Sequence, residues 1–102
     1  MYTNMVRYRS VSDNSKKKLG KMIAEARRSK RLTQLELAEH LGVTPDGVKS
    51  WEYGRSAPTI RGIKAAIRAV LKIDVDELLR SGKLEYAETY EGLPRKSKSS
   101  KN

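Results

Sequence analysis

The 102-residue sequence predicts an all-α fold of five short helices flanked by two basic arms. Two observations lead there. Between residues 19 and 79, apolar side chains recur at helical spacing rather than in the strict alternation of a strand. The same stretch is punctuated by Ser, Thr and Asp ahead of apolar runs and by Gly or Pro beyond them, the residues that start and stop helices.

The first helix is set by Leu19, Met22, Ile23 and Ala26, which follow the i, i+3, i+4, i+7 pattern after a run of candidate N-caps, Ser12, Asp13, Asn14 and Ser15. Thr33 followed by Glu36 has the form of a capping box, Leu37, Ala38 and Leu41 supply an apolar face, and Gly42 can take the left-handed stop. This second helix is barely two turns long. Thr44 can cap a third, running about from Pro45 to Tyr53, and proline suits the first position because its missing N–H would have no partner there. Gly54 marks the end. Ile60, Ile63, Ile67, Val70 and Leu71 make a fourth amphipathic helix after Pro58, and Asp74 with Glu77 caps a short fifth carrying Val75, Leu78 and Leu79.

A helix of two turns is marginal in water, so helices 2 and 3 must be held by packing against helices 1 and 4, with "LGVT" as a tight turn between them. Two short helices joined in this way form a helix-turn-helix. Its use is geometric: one helix lies across the DNA backbone while the second presents its outer face to base edges in the major groove.

Composition agrees. Twenty-two lysines and arginines against 12 acidic residues give a net charge of +10, which makes nucleic acid or an anionic surface the leading class of partner. The excess is uneven: residues 1–18 hold five basic residues against one acidic, and residues 94–102 hold four against none. A chain of this length suits one domain rather than a large enzyme with a deep cleft. With no cysteine, no signal-peptide core and no long uncharged stretch, the expectation is a cytoplasmic, nucleoid-associated protein with no membrane contact. His40 is the single histidine, which excludes a paired-histidine metal site, and neither a glycine-rich phosphate loop nor a nucleophilic triad is present. An enzyme is not expected, nor a cofactor, metal or small-molecule ligand.

Gln34 opening helix 2, Ala38 under helix 3, Gly42 in the turn, Val48 and Trp51 facing the core and "WEYGRSAP" closing the unit agree in register with a known family. Over roughly residues 17–79 the chain resembles the Cro/repressor-type helix-turn-helix proteins, which include phage repressors, restriction controllers and antitoxin regulators. The resemblance implies a five-helix lambda-repressor-like DNA-binding domain. It also implies that Gln34 is set against the DNA backbone and that Arg27 and Glu52 form a partly buried, structural ion pair joining helix 1 to helix 3.

With Val48 and Trp51 inward, Asp46, Lys49, Ser50 and Tyr53 fall on the opposite face of helix 3, at about 100° per residue. These four, with Pro45 on the flank, are the base-reading candidates. Lys49 can donate to guanine O6 and N7, Ser50 can meet either kind of base edge, and Pro45 can pack on a thymine methyl. Asp46 can accept from cytosine N4 or simply cap or solvate the helix. Gln34, Arg55, Arg61 and Thr44 are the phosphate candidates, Arg55 and Arg61 reading equally well as solvated charges.

The domain organisation that follows is an N-terminal arm at 1–14, the helix-turn-helix domain at 15–80, a candidate dimerisation strand at 81–93 and a disordered basic tail at 94–102. That tail reads equally as a solubilising or a phosphate-tracking segment. In the arms, Val6 and Tyr8 share one strand face and Leu84, Tyr86 and Tyr90 alternate against polar residues, so short strands pairing two subunits are expected from these five. The competing arrangement is a strand folded back on its own helices. The function expected is a small dimeric repressor on a palindromic double-stranded operator, serving a phage, a mobile element or an antitoxin-type operon. The alternative is a bridging module that binds a protein of the transcription machinery.

Overall fold

The computed structural model describes residues 10–87. Five helices follow one another: α1 (Asp13–Ser29), α2 (Gln34–Leu41), α3 (Pro45–Glu52), α4 (Arg61–Leu71) and α5 (Val75–Arg80). Local chemistry starts each of the first three. The Ser12 hydroxyl accepts from the Ser15 N–H at 3.2 Å, so α1 begins two residues inside the segment read as an arm. Thr33 and Glu36 close both halves of a capping box at 3.0 and 2.9 Å. Thr44 accepts from Gly47 at 3.1 Å with Pro45 in the first turn. Helix α2 stops at Gly42, whose φ of 74° lets the Val43 N–H return to the Ala38 carbonyl at 3.0 Å.

Ile60 departs from the sequence reading. It belongs to the extended residue ahead of α4, 63% exposed, with no side-chain cap behind it. The inward face of α4 is carried by Ile63, Ile67, Val70 and Leu71 instead.

The core forms where these faces meet. Leu19 and Ile23 of α1, Leu37, Ala38 and Leu41 of α2, Val48 and Trp51 of α3, and Ile67 and Leu71 of α4 are buried together, with Ile73 and Val75 closing one end. Each large apolar side chain so buried contributes about 1.5 to 3 kcal/mol, which is how eight-residue helices that would melt alone are kept. Helix α3 packs on α1 and α2, and α4 packs on α1 and α2. Asp74 caps α5 and Lys64 of α4 pairs with Asp76 at 2.8 Å, tying the last helix to the fourth. No helix among the described residues is long and apolar enough to cross a membrane.

After α5 the chain folds back on residues 10–12, just ahead of α1. The Ser12 N–H donates to the Glu85 carbonyl at 2.8 Å and the Ala87 N–H to the Ser10 carbonyl at 2.7 Å, flanking an isolated antiparallel bridge between Val11 and Tyr86. The buried Ser15 hydroxyl accepts from the Glu85 N–H at 2.8 Å. Among the described residues there is one bridge and no strand.

Leu84 corrects the reading of the arm. It is 1% exposed and belongs to the chain's own core, its N–H bonded to the Leu78 carbonyl at 3.0 Å, so it has no side chain left to offer a second subunit. Tyr86, 37% exposed, sits in the intramolecular bridge. Val6, Tyr8, Tyr90 and the 94–102 tail lie outside the described residues. Leu84→Ala is expected to lower the unfolding free energy by about 2 kcal/mol, the low end for a core leucine because Leu84 lies outside the helices, where the backbone can relax around the cavity. Urea unfolding checks it, and an unchanged midpoint would remove Leu84 from the core.

Candidate nucleic-acid interface

The orientation of α3 is set from below. Val48, fully buried, and Trp51, 7% exposed, anchor one side of the helix, which forces Pro45, Asp46 and Lys49 into solvent on the other. Thr44 supplies the cap, so Asp46 is not the capping group; its carboxylate stands in the first turn, where the positive end of the helix dipole favours it. Lys49 makes no side-chain hydrogen bond or ion pair among the described residues.

Ser50 and Tyr53 are placed differently from these three. Ser50 is half-buried, its hydroxyl 2.8 Å from that of Ser56 in the loop beyond α3. Tyr53 follows the last residue of the helix as its C-cap, 63% exposed, and the Arg55 guanidinium lies 5.4 Å from its ring centroid.

A second cluster joins α1, α2 and α3. Arg27 Nε donates to Glu52 Oε2 at 2.6 Å and Nη2 to Oε1 at 3.0 Å, a two-pronged pair, while Nη1 donates to the Leu32 carbonyl at 2.8 Å. Gln34 Nε2 donates to the same Glu52 Oε1 at 2.9 Å. The side chains of Arg27 and Glu52 are 13% and 6% exposed, so this junction sits largely out of water. Burial pushes the Glu52 carboxyl up, but the hydrogen bonds from Arg27 and Gln34 and the attraction of Arg27 and Arg28 more than reverse it, and the carboxyl sits below the usual range. The Glu52 hydrogen bond raises Arg27 in turn.

Gln34 thereby has one amide hydrogen committed inward. The first-turn N–H groups of Gln34 and Leu35 have no partner within the helix, since the capping box satisfies only Thr33 and Glu36. Arg61 is exposed in the first turn of α4, a turn with no acidic residue and no capping side chain.

Gly20 is a structural residue that periodicity did not single out. A Cβ there would collide with the Trp51 carbonyl and stand 2.9 Å from that of Glu52, so the bare backbone of α1 is what admits the end of α3. The available signal was a glycine in the middle of a strong helical pattern. Ser56 and the Leu32 carbonyl carry no spacing signal for another reason: each is met by a side chain five or six residues earlier, Ser50 and Arg27, across a helix end whose loop path no periodicity fixes.

Two short helices set by a tight turn, the second fixed on a core and showing a polar, cation-bearing face, define a DNA-binding protein of the helix-turn-helix class rather than an enzyme. The helix-turn-helix family model HTH_3 matches residues 23–78. The chain belongs to that family, the Cro/repressor type, and is a DNA-binding transcriptional regulator. Among solved structures it is similar to the clp gene regulator ClgR from Corynebacterium glutamicum, at 27% identity and a TM-score of 0.53 over 68% of this chain and 74% of that one. It is also similar to the restriction-modification controller protein C.AhdI from Aeromonas hydrophila, at 25% identity and a TM-score of 0.54 over 66% of this chain and 96% of that one. No curated protein sequence matches the chain.

Proposed function

We propose that the protein is a sequence-specific repressor that lays α3 in the major groove and acts as two copies on a palindromic operator. The observation that carries the reading is the division of α3 into a face locked in the core by Val48 and Trp51 and an opposite face of Pro45, Asp46 and Lys49 in solvent. Base contacts in this arrangement come from the first turns of the recognition helix, which is where those three stand. Lys49 donates to guanine, with Ser50 beside it. The α2 N-terminus meets the backbone through the free N–H groups of Gln34 and Leu35, and Arg55 and Arg61 add cations on phosphate.

The two-copy reading rests on length. An eight-residue helix is about 12 Å long and spans only three to four base pairs at about 3.4 Å each, too few to single out one site among roughly a million competitors. Two copies double the information if their helices stand about one DNA turn, 34 Å, apart. With Leu84 in its own core, the pairing surface has to come from elsewhere on the chain.

Selection of bound duplexes from a random pool at near-physiological salt tests this. The expected result is a palindrome of fixed half-site spacing. A pool with no motif, and binding that fades uniformly with salt, would move the protein to the bridging role or to non-specific binding. Lys49→Ala is expected to relax preference at one base pair of each half-site by about 1 to 3 kcal/mol, read by competition with the selected site and its single-base variants. Equal discrimination by variant and wild type would take base reading away from Lys49.

A further inference from the structure

The C-terminal end of α3 and the loop beyond it are joined by more than chain continuity. The Arg55 N–H returns to the Ser50 carbonyl at 3.0 Å, the Ser50 and Ser56 hydroxyls meet at 2.8 Å, and the Arg55 guanidinium lies over the Tyr53 ring at 5.4 Å. From these contacts we propose that Tyr53 and Ser56 are positioning residues for DNA binding: Tyr53 holds Arg55 ready for a phosphate, and Ser56 holds the Ser50 hydroxyl ready for the groove. The inference rests on the operator-binding reading above and assigns Tyr53 a role other than base reading.

The chemistry of the pair supports it. Tyr53 is the C-cap, a full helix length from the first turn of α3, where base edges are met. A guanidinium held over an aromatic ring, with no hydrogen bond of its own, keeps its N–H donors free, and those donors match a phosphate two at a time. Among the described residues the Arg55 side chain makes no hydrogen bond or ion pair, so the ring is what restrains it. Arginine loses conformational freedom whenever it binds, and a ring that already confines it reduces that loss at the moment of contact. The serine pair acts on a rotor in the same way. One hydroxyl hydrogen is shared between the two oxygens, which confines the Ser50 side chain to one orientation.

The test is a double-mutant cycle with binding measured on the selected operator and on a scrambled duplex of equal length. Tyr53→Phe, which keeps the ring face, is expected to bind like wild type. Tyr53→Leu is expected to lose about 2- to 5-fold on both duplexes alike, the size of an exposed cation–π contact. In the Arg55→Ala background Tyr53→Leu is expected to change nothing further. Ser56→Ala is expected to relax selection at the base pair nearest Ser50 while leaving the scrambled duplex bound as before. Tyr53 is well exposed and Ser56 lies in a loop, so unfolding midpoints of all variants should stay near wild type. A Tyr53→Leu loss that persists without Arg55, or that falls on the operator alone, would overturn the Tyr53 assignment. Unchanged selection by Ser56→Ala would overturn the other half. Failure of the operator reading itself is visible separately as a wild-type protein without sequence preference, and the Tyr53–Arg55 cycle can still be read on the scrambled duplex.

Discussion

Glu52→Ala is expected to lower the unfolding free energy by about 3 to 5 kcal/mol, a large part of what a small domain has. The magnitude follows from what is stranded. Arg27 is 13% exposed and spends three donors in this junction, two of them on Glu52, so deleting the carboxylate leaves a guanidinium with one remaining acceptor, the Leu32 carbonyl. The Gln34 amide loses its acceptor as well. Removing both ends together is expected to cost much less: Arg27→Met with Glu52→Leu leaves no buried charge, and pairs replaced in this way are often neutral. Urea unfolding of the two singles and the double checks the coupling. Singles that add up to the double would mean the pair is solvated and weak.

The same junction makes an acid prediction. Glu52 is held below the usual carboxylate range in the folded state, so in acid the unfolded chain takes up a proton more readily than the folded one. Its contribution is complete above the ordinary glutamate value of about 4.3 and drains away as pH falls from there through the lower folded value. Glu52→Gln is therefore expected to flatten the acid limb of the stability curve by up to one proton. An unchanged limb would place the carboxyl in its ordinary range.

Gly20→Ala carries the second large effect, and its sign opposes helix propensity. In an exposed helix interior the change would gain about 1 kcal/mol. Here the new methyl meets the carbonyls of Trp51 and Glu52, which are backbone and cannot swing aside as a side-chain tip would. Helices α1 and α3 must part, and overpacking of this kind costs about 3 kcal/mol at the upper end of its usual range, so a net loss of about 2 kcal/mol is expected once the propensity gain is subtracted. Because Glu52 lies in the same contact, a displaced α3 also lengthens the reach to Arg27 and tilts the face that carries Lys49. Thermal unfolding together with operator affinity measures both consequences. A melting temperature equal to or above wild type would show that the helices have room, and that α3 is not seated as closely as this.

Why some of this was readable in the sequence is a matter of range. Thr33 with Glu36, Thr44 with Gly47 and Ser12 with Ser15 act across three residues, and the turn at Gly42 is equally local, so the helix starts and stops follow from side chains and the backbone beside them. The inward positions of Leu19, Ile23 and Ile67 follow from periodicity alone, since a helix repeats its face every 3.6 residues whatever it packs against, while those of Val48 and Trp51 come with the family resemblance. Ile60 lies outside α4 although its spacing fits the stripe, because no capping side chain extends the helix back to it.

What the sequence by itself determined was thus the set of helices, the side each would bury, the basic balance that points to DNA and the face of α3 left over for it. Only the tertiary structure decided which surfaces those sides would meet. The alternation around Leu84 says that one side chain must leave water, but burial has no direction, and a partner's surface or the chain's own core would satisfy it equally. The fold chose the core, through a Glu85 contact to a serine 70 positions earlier. Gly20 and Gln34 belong with it: a bare backbone and an amide acquire their roles only when residues far apart in the chain meet, Gly20 against the end of α3 and Gln34 against the Glu52 carboxylate.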